Sequence, residues 1–437
     1  MNSRDLYFIL AALLLGLLLS MAIASDWMAA VGFIFASICL FVFCWKPVLG
    51  VYSFLLISLW QITILPGVTL SAFFGYLSIF AYIFNLLVTR EVRYRRTGQE
   101  WLFLFLLVAI LISSVGAINL PWLIRKAFTL IQLMILYLLI ANLINTRTRL
   151  IYLLWVVLLS NLITAGLSIY QYLQIPGFRA IGAGKDPNYT AAAVIMGIFL
   201  GLAILKRLKS TPGKLILVAS LFILVVAFLL TFSRGGFIAL NVAGIFWIFR
   251  EKNKGRALAI VFIGLIVGAI FMPEKYRERI STLKDFQLDV SISSRVLETR
   301  AAIMMIRDYP FFGVGFENMP DHFARYITPE YGHEVRAAHN LYLNLAADIG
   351  LVGLAIFIGI IITSWNSLQK AGREVGEEDW LNYASRMISL AFVGYLAASI
   401  FVSNLLEKEL WVILSLGAAL GGIVKTEAEN ARKNISA

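Results

Sequence analysis

Fourteen apolar runs, most of them 17 to 24 residues long, recur along this 437-residue chain. As a helix, each such run reaches across a bilayer core of about 30 Å. They cover residues 6–24, 28–45, 48–65, 70–89, 101–118, 123–143, 150–173, 189–205, 214–232, 235–249, 256–272, 347–368, 381–403 and 408–424. Twelve or thirteen spans also fit, because 28–65 is interrupted only at Lys46-Pro47 and 214–249 only at Ser233-Arg234-Gly235-Gly236. Backbone groups in lipid must bond within their own segment, so runs of this length predict helices. The predicted class is all-α, a polytopic helical membrane protein with 12–14 transmembrane helices. Composition excludes a soluble domain, with 60% hydrophobic residues, 14% charged residues and a mean hydropathy of +0.84. The first run, which ends before Asp26-Trp27, reads as a span rather than a signal peptide.

The net charge of +12 follows from topology. With the amino terminus inside, alternate short connections collect 21 of the 37 Lys and Arg residues, as cytoplasmic loops do, and the carboxyl terminus is inside as well. The excess is spread over many turns rather than gathered on one face, which excludes nucleic acid as a partner. Cys39 and Cys44 share one apolar run and read as small apolar side chains. The tail after Lys425 is polar and reads as frayed.

The same alternation puts residues 273–346 outside, and this hydrophilic stretch contains all three histidines, His322, His333 and His339. Its nine cations face ten acids, and long loops cross regardless of such charge. Connections between helices are usually short, so a loop of this size points to function. A helix is predicted from Ser294 to Asp308, capped by Ser293 or Ser294, with Arg295 in its first turn and Pro310 as its stop. Arg295 there either adds charge to a positive helix end or pairs with Glu298 or Asp289. Gly313 and Gly315 pivot the turn that follows.

Several cations fall on the outer side against the bias. Arg125 and Lys126 begin the sixth run, Arg179 and Lys185 precede the eighth, and Arg234 sits between the ninth and tenth. Each either snorkels to lipid phosphates or serves a ligand. Asp186-Pro187-Asn188 and Ser233-Arg234-Gly235-Gly236 read as turns that present helix amino termini outward, where free N–H groups attract anions. Together they predict an outer site for a phosphate-bearing ligand. His339, between Arg336 and Asn340 and just before a span, is the strongest candidate base, since a neighbouring cation favours the neutral ring that accepts a proton. A loop histidine that only hydrogen-bonds, or a zinc site from the three histidines, are the other readings; the spacing fits no usual zinc pattern.

His339-Asn340 followed by Gly350 resembles the histidine motif of the O-antigen ligase superfamily. Ser233-Arg234-Gly235 resembles its outer-turn arginine, and Asp186-Pro187-Asn188 a segment at the outer end of a middle span. Ser294-Arg295 and the stretch from Asp308 to Gly315 resemble the two ends of its loop helix. A Trp expected a few residues after Arg295 is replaced by Thr299 or Arg300. The resemblance covers about residues 186–365 and is shared by lipopolysaccharide O-antigen ligases, O-antigen polymerases and protein O-oligosaccharide transferases.

The resemblance implies an inner-membrane enzyme that transfers a glycan from an undecaprenyl diphosphate carrier to an acceptor hydroxyl, on lipid A-core or a growing glycan, with inversion and without metal or other cofactor. Its parts are membrane helices over 1–272, a partly helical periplasmic loop over 273–346 carrying catalytic residues, membrane helices over 347–424 and a cytoplasmic tail over 425–437. His339 is then the general base, Arg234 and Arg295 hold the diphosphate, and Arg125, Lys126, Arg179, Asn188, Arg336 and Asn340 bind diphosphate or glycan. A transporter for anionic lipids or solutes is the competing class. It requires ionisable residues near the bilayer midplane, whereas charges within the runs are expected only near their ends, as at Arg125, Asp348 and Arg386.

Overall fold

The computed structural model describes residues 27–58, 63–65, 68–90, 92, 94–184, 186–251, 253–255, 258, 290–327 and 337–436. The helices are α1 (Trp27–Trp45), α2 (Pro47–Ile57), α3 (Leu70–Phe84, extended by a π turn to Thr89), α4 (Glu100–Ser113), α5 (Leu120–Leu143), α6 (Arg147–Gln174), α7 (Pro187–Arg207), α8 (Thr211–Leu230), α9 (Arg234–Arg250), α10 (Val290–Asp308), α11 (Leu341–Arg373), α12 (Trp380–Ala398) and α13 (Lys408–Ser436). Proline stands in the first turn of α2, α5, α7 and α8, where its missing N–H costs nothing. Eight of the described helices are long and apolar enough to cross a membrane, and the shorter α2 and α4 are apolar too. The runs 6–24 and 256–272 lie outside the described residues.

Three expectations need correction. The run 48–65 is not one helix, because α2 ends at Ile57 and Thr63–Leu65 pairs antiparallel with Val68–Thr69, a β-branched stretch flanking Pro66-Gly67. The loop helix begins at Val290, so Ser293 and Ser294 are not its caps and Arg295 lies in its second turn. The polar tail is helical to Ser436 rather than frayed. Arg147 anchors it: its guanidinium forks onto Asp379 at 2.7 Å through Nη1 and Nη2 and meets Glu427 of α13 at 2.7 and 2.8 Å.

The core lies among α7, α11, α12, α13 and the inner faces of α5 and α6. α7, α12 and α13 are the most enclosed spans, while α3 and α8 present most of their surface outward. Trp411 is wholly buried, donates Nε1 to the Leu405 carbonyl at 2.8 Å and packs edge-on to Phe103 at 5.8 Å.

One charged pair is far deeper than its place at the start of an apolar run suggested. Lys408 and Glu409 form an ion pair at 3.1 Å and line a small void with Ser160, Asn161 and Met196. Those three residues sit midway along α6 and α7. The connection between α12 and α13 therefore dips into the bundle, and charge is present at mid-depth. The periodicity gave no sign of this, because depth depends on how the turns before Lys408 are threaded.

Candidate functional site

Helix amino termini gather at one end of the bundle around the end of α12. Ser233 caps α9, its Oγ accepting from the Gly236 N–H at 2.9 Å, and the same hydroxyl donates to Asn188 Oδ1 at 2.7 Å. Asp186 caps α7 by accepting from the Asn188 N–H at 2.7 Å. The two turns singled out in the sequence are thus bonded to each other. Gly235 packs so closely on Phe401 that a Cβ there would stand 2.5 Å from the ring-bearing carbon. Tyr189 donates to the Ser403 carbonyl at 2.6 Å, and Tyr342 at the start of α11 donates to that of Leu396 at 3.0 Å. Three helix starts, α7, α9 and α11, therefore abut the short stretch from Leu396 to Ser403, with their dipoles aimed toward the same end.

The long loop is fastened into α11 rather than laid over it. α11 breaks at Ile349-Gly350, where Gly350 has φ 72° and ψ 179°. The segment after α10 enters this break. Val314 and Gly315 donate to the carbonyls of Ala347 and Asp348 at 3.0 and 2.9 Å, and Leu351 donates to that of Pro310 at 2.8 Å. The break strands α11 backbone groups, and the loop satisfies them. Asp348 is fully buried; its carboxylate accepts from the Met319 N–H at 2.9 Å and from Asn344 Nδ2 at 2.7 Å. On the other side the loop holds the α4–α5 connection through Asn318 Oδ1, which accepts from the Asn119 N–H at 2.7 Å, and through His322 Nε2 on the Gly116 carbonyl at 2.9 Å.

Burial holds the His322 imidazole below the usual histidine pKa, with the Gly116 carbonyl pulling the other way and Arg325 reinforcing the shift. A folded pKa below the unfolded one means that the contribution of this contact is complete above about pH 6.5 and declines as pH falls toward the folded value. Loop protection in hydrogen exchange is expected to weaken as pH falls below about 6.5. In His322→Gln that pH dependence should flatten; an unchanged slope would show that His322 does not gate docking.

α10 rests on the same assembly. Ala301, Ala302 and Met305 pack on Val314, Ala338 and Ala347. Buried Glu298 and half-buried Arg295 continue this stripe toward the helix start, at helical spacing. Ala338 is the residue before His339, so Arg295 and His339 belong to elements joined through one small core.

The predicted site residues separate on these contacts. His339 is half-buried with a left-handed backbone, φ 44°. Arg234 opens α9, and Arg179 reaches the same turn, with Nε on the Thr231 carbonyl at 3.4 Å. Asn188 is a clamp, its Oδ1 engaged by Ser233 and its Nδ2 by Asp186 at 2.7 Å. Asn340 is a helix cap, accepting from the N–H groups of Tyr342 and Leu343 at 3.0 and 3.1 Å. Lys126 stands 3.9 Å from the Glu317 carboxylate and over the Trp122 ring at 4.4 Å, which ties it to the loop. Arg125 is exposed one turn inside α5, since that helix starts at Leu120, earlier than its apolar run. Arg336, His333 and Lys185 lie outside the described residues.

Sequence reasoning missed Glu317. Among the described residues four non-glycine positions have positive φ, and three of them, Phe232, Glu317 and His339, flank the elements above. Such backbone costs on the order of 1–3 kcal/mol each and persists where neighbours force it, commonly at functional sites. Sequence carries no signal for it beyond the adjoining Gly313 and Gly315.

No curated protein matches the chain. Residues 219–358 match the family model described as O-Antigen ligase, a stretch that begins within α8, runs into α11 and includes Arg234, Arg295 and His339. Over those residues the chain is similar to the O-antigen ligase family.

Proposed function

We propose that the chain transfers a glycan from an undecaprenyl diphosphate carrier to an acceptor hydroxyl, with lipid A-core oligosaccharide as the preferred acceptor, on the periplasmic face of the inner membrane. The observation that carries this reading is the convergence of three helix amino termini, one of them bearing Arg234 and one preceded by His339, at the end of the bundle where the loop docks. His339 takes the proton of the acceptor hydroxyl, and the freed oxygen attacks the anomeric carbon from the face opposite the diphosphate. The bond from that carbon to the phosphate oxygen breaks, and its electron pair leaves on undecaprenyl diphosphate. Arg234 and Arg295 hold the growing negative charge, for which a planar guanidinium fork suits phosphate. Arg179 and Arg125 extend the cationic surround. Lys126, paired with Glu317, and Asn188 and Asn340, engaged as clamp and cap, support the site's shape. A diphosphate is a good leaving group, so the scheme needs neither metal nor nucleotide.

Purified protein with undecaprenyl diphosphate-linked glycan and lipid A-core should yield glycosylated lipid A-core, with or without a chelator. A longer undecaprenyl-linked chain as the product would instead make it a polymerase, and a glycosylated polypeptide a protein O-oligosaccharide transferase. The mid-depth Lys408–Glu409 pair is the feature a transporter requires. The void beside it measures about 20 Å³, room for roughly one water and not for a solute. Flux into proteoliposomes without a covalent product would overturn the transferase reading.

A further inference from the structure

The opposite end of the bundle contains a second polar cleft, of about 710 Å³, that glycan transfer leaves unused. It lies between the ends of α1, α3 and α5, the starts of α2 and α6, and the polar part of α13. Four cations line it, Lys46, Arg95, Arg149 and Lys425, against one carboxylate, Glu429.

Two of these charges are fixed in place. The Arg95 guanidinium donates to the carbonyl of Ala141 and to that of Ala418 at 3.2 Å, while its backbone N–H donates to Asn142 Oδ1 at 2.6 Å. It reaches α13 because position 422 is glycine; a Cβ there would occupy the space of the guanidinium. Arg149 gives Nη1 to the Leu143 carbonyl and to Asn145 Oδ1, both at 2.9 Å, and its Nε and Nη2 make no hydrogen bond among the described residues. Lys46 lies 5.0 Å from the ring of Trp45, which is itself 56% exposed on the outer surface of the bundle. Among the described residues neither Lys46, Arg149 nor Lys425 forms an ion pair.

Several like charges around an open volume repel one another unless an anion enters. The anion's source follows from the setting. A Trp beside a Lys at a helix end is an interfacial anchor, and a basic pocket between membrane helices at the cation-rich end suits the phosphate of an anionic lipid. We propose that this cleft binds the phosphate of an anionic phospholipid head group, with Lys46, Arg149 and Lys425 as its contacts and Arg95 as the fixed charge behind them.

Native mass spectrometry of the full chain, released from micelles holding phosphatidylglycerol, cardiolipin or phosphatidylcholine, tests this. Adducts of the two anionic lipids are expected, and none of phosphatidylcholine. Each cation near such a lipid is worth roughly fivefold in affinity, so the combined Lys46→Gln, Arg149→Gln, Lys425→Gln variant should bind about a hundredfold more weakly. Glu429→Gln should bind more tightly than the parent, which separates loss of charge from loss of fold. Anionic lipid retained equally by a triple variant that melts like the parent would overturn the proposal. Displacement of the lipid by millimolar inorganic phosphate would also overturn it, assigning the cleft to a soluble anion.

Discussion

Replacing His339 with alanine is expected to slow glycan transfer by about 10²- to 10⁴-fold, the usual worth of a positioned general base. The loss should fall on kcat, with KM for the lipid-linked donor little changed, because the base acts on the acceptor hydroxyl and makes no contact that holds the diphosphate. Arg234→Gln should cost about 10²- to 10³-fold, as removal of one charge-stabilising group does elsewhere. Arg234→Lys should recover part of it, since an ammonium retains the charge and loses the fork. Purified donor and acceptor in detergent, followed by product mass, give both numbers. An undiminished His339→Ala variant would remove the base from the mechanism. Equal rates for the two Arg234 variants would instead show that charge without the fork recovers nothing, and an Arg234→Lys rate equal to the parent's would show that the guanidinium shape is irrelevant.

Gly350→Ala is expected to destabilise the protein by about 3 kcal/mol or more and to abolish transfer with it. Its backbone, φ 72° and ψ 179°, belongs to a region that essentially only glycine occupies, and an added Cβ would run into the Phe311 carbonyl. The loop segment would have to withdraw from the α11 break, leaving the α11 backbone groups it pairs with unsatisfied in an apolar setting. Thermal unfolding in detergent reads the stability change, and Gly166→Ala is the control, because a Cβ there meets nothing within 4 Å. A melting temperature for Gly350→Ala equal to that control would mean that the loop is not fastened here.

Much of this architecture was legible in the chain. Apolar run length gave the helices, and Pro187 behind Asp186 and Gly235 behind Ser233 gave the two capped starts, because caps are local chemistry. What joins these pieces is not local. Asn188 also serves as a clamp and Asn340 as a cap, roles that depend on Ser233 being brought beside α7 and on where α11 starts. Gly313 and Gly315 were visible as pivots and Gly350 as part of the histidine motif, yet nothing in their spacing says that the first two insert where the third opens α11. Glu317 and the depth of Lys408 were hidden for the same reason: backbone strain and immersion are properties of the assembled bundle. The family match, by contrast, covers the segment in which the resemblance already placed Arg234, Arg295 and His339.

The dipping connection ahead of α13 bears on how this chain is made. Non-helical peptide at membrane depth is tolerated only inside protein, and Lys408 with Glu409 rests on the midsections of α6 and α7. The last hairpin therefore has no stable resting place in bare lipid. It must be received by helices already inserted, so biogenesis closes from the carboxyl-terminal side, and a chain cut short after α12 leaves an open slot in the bundle wall.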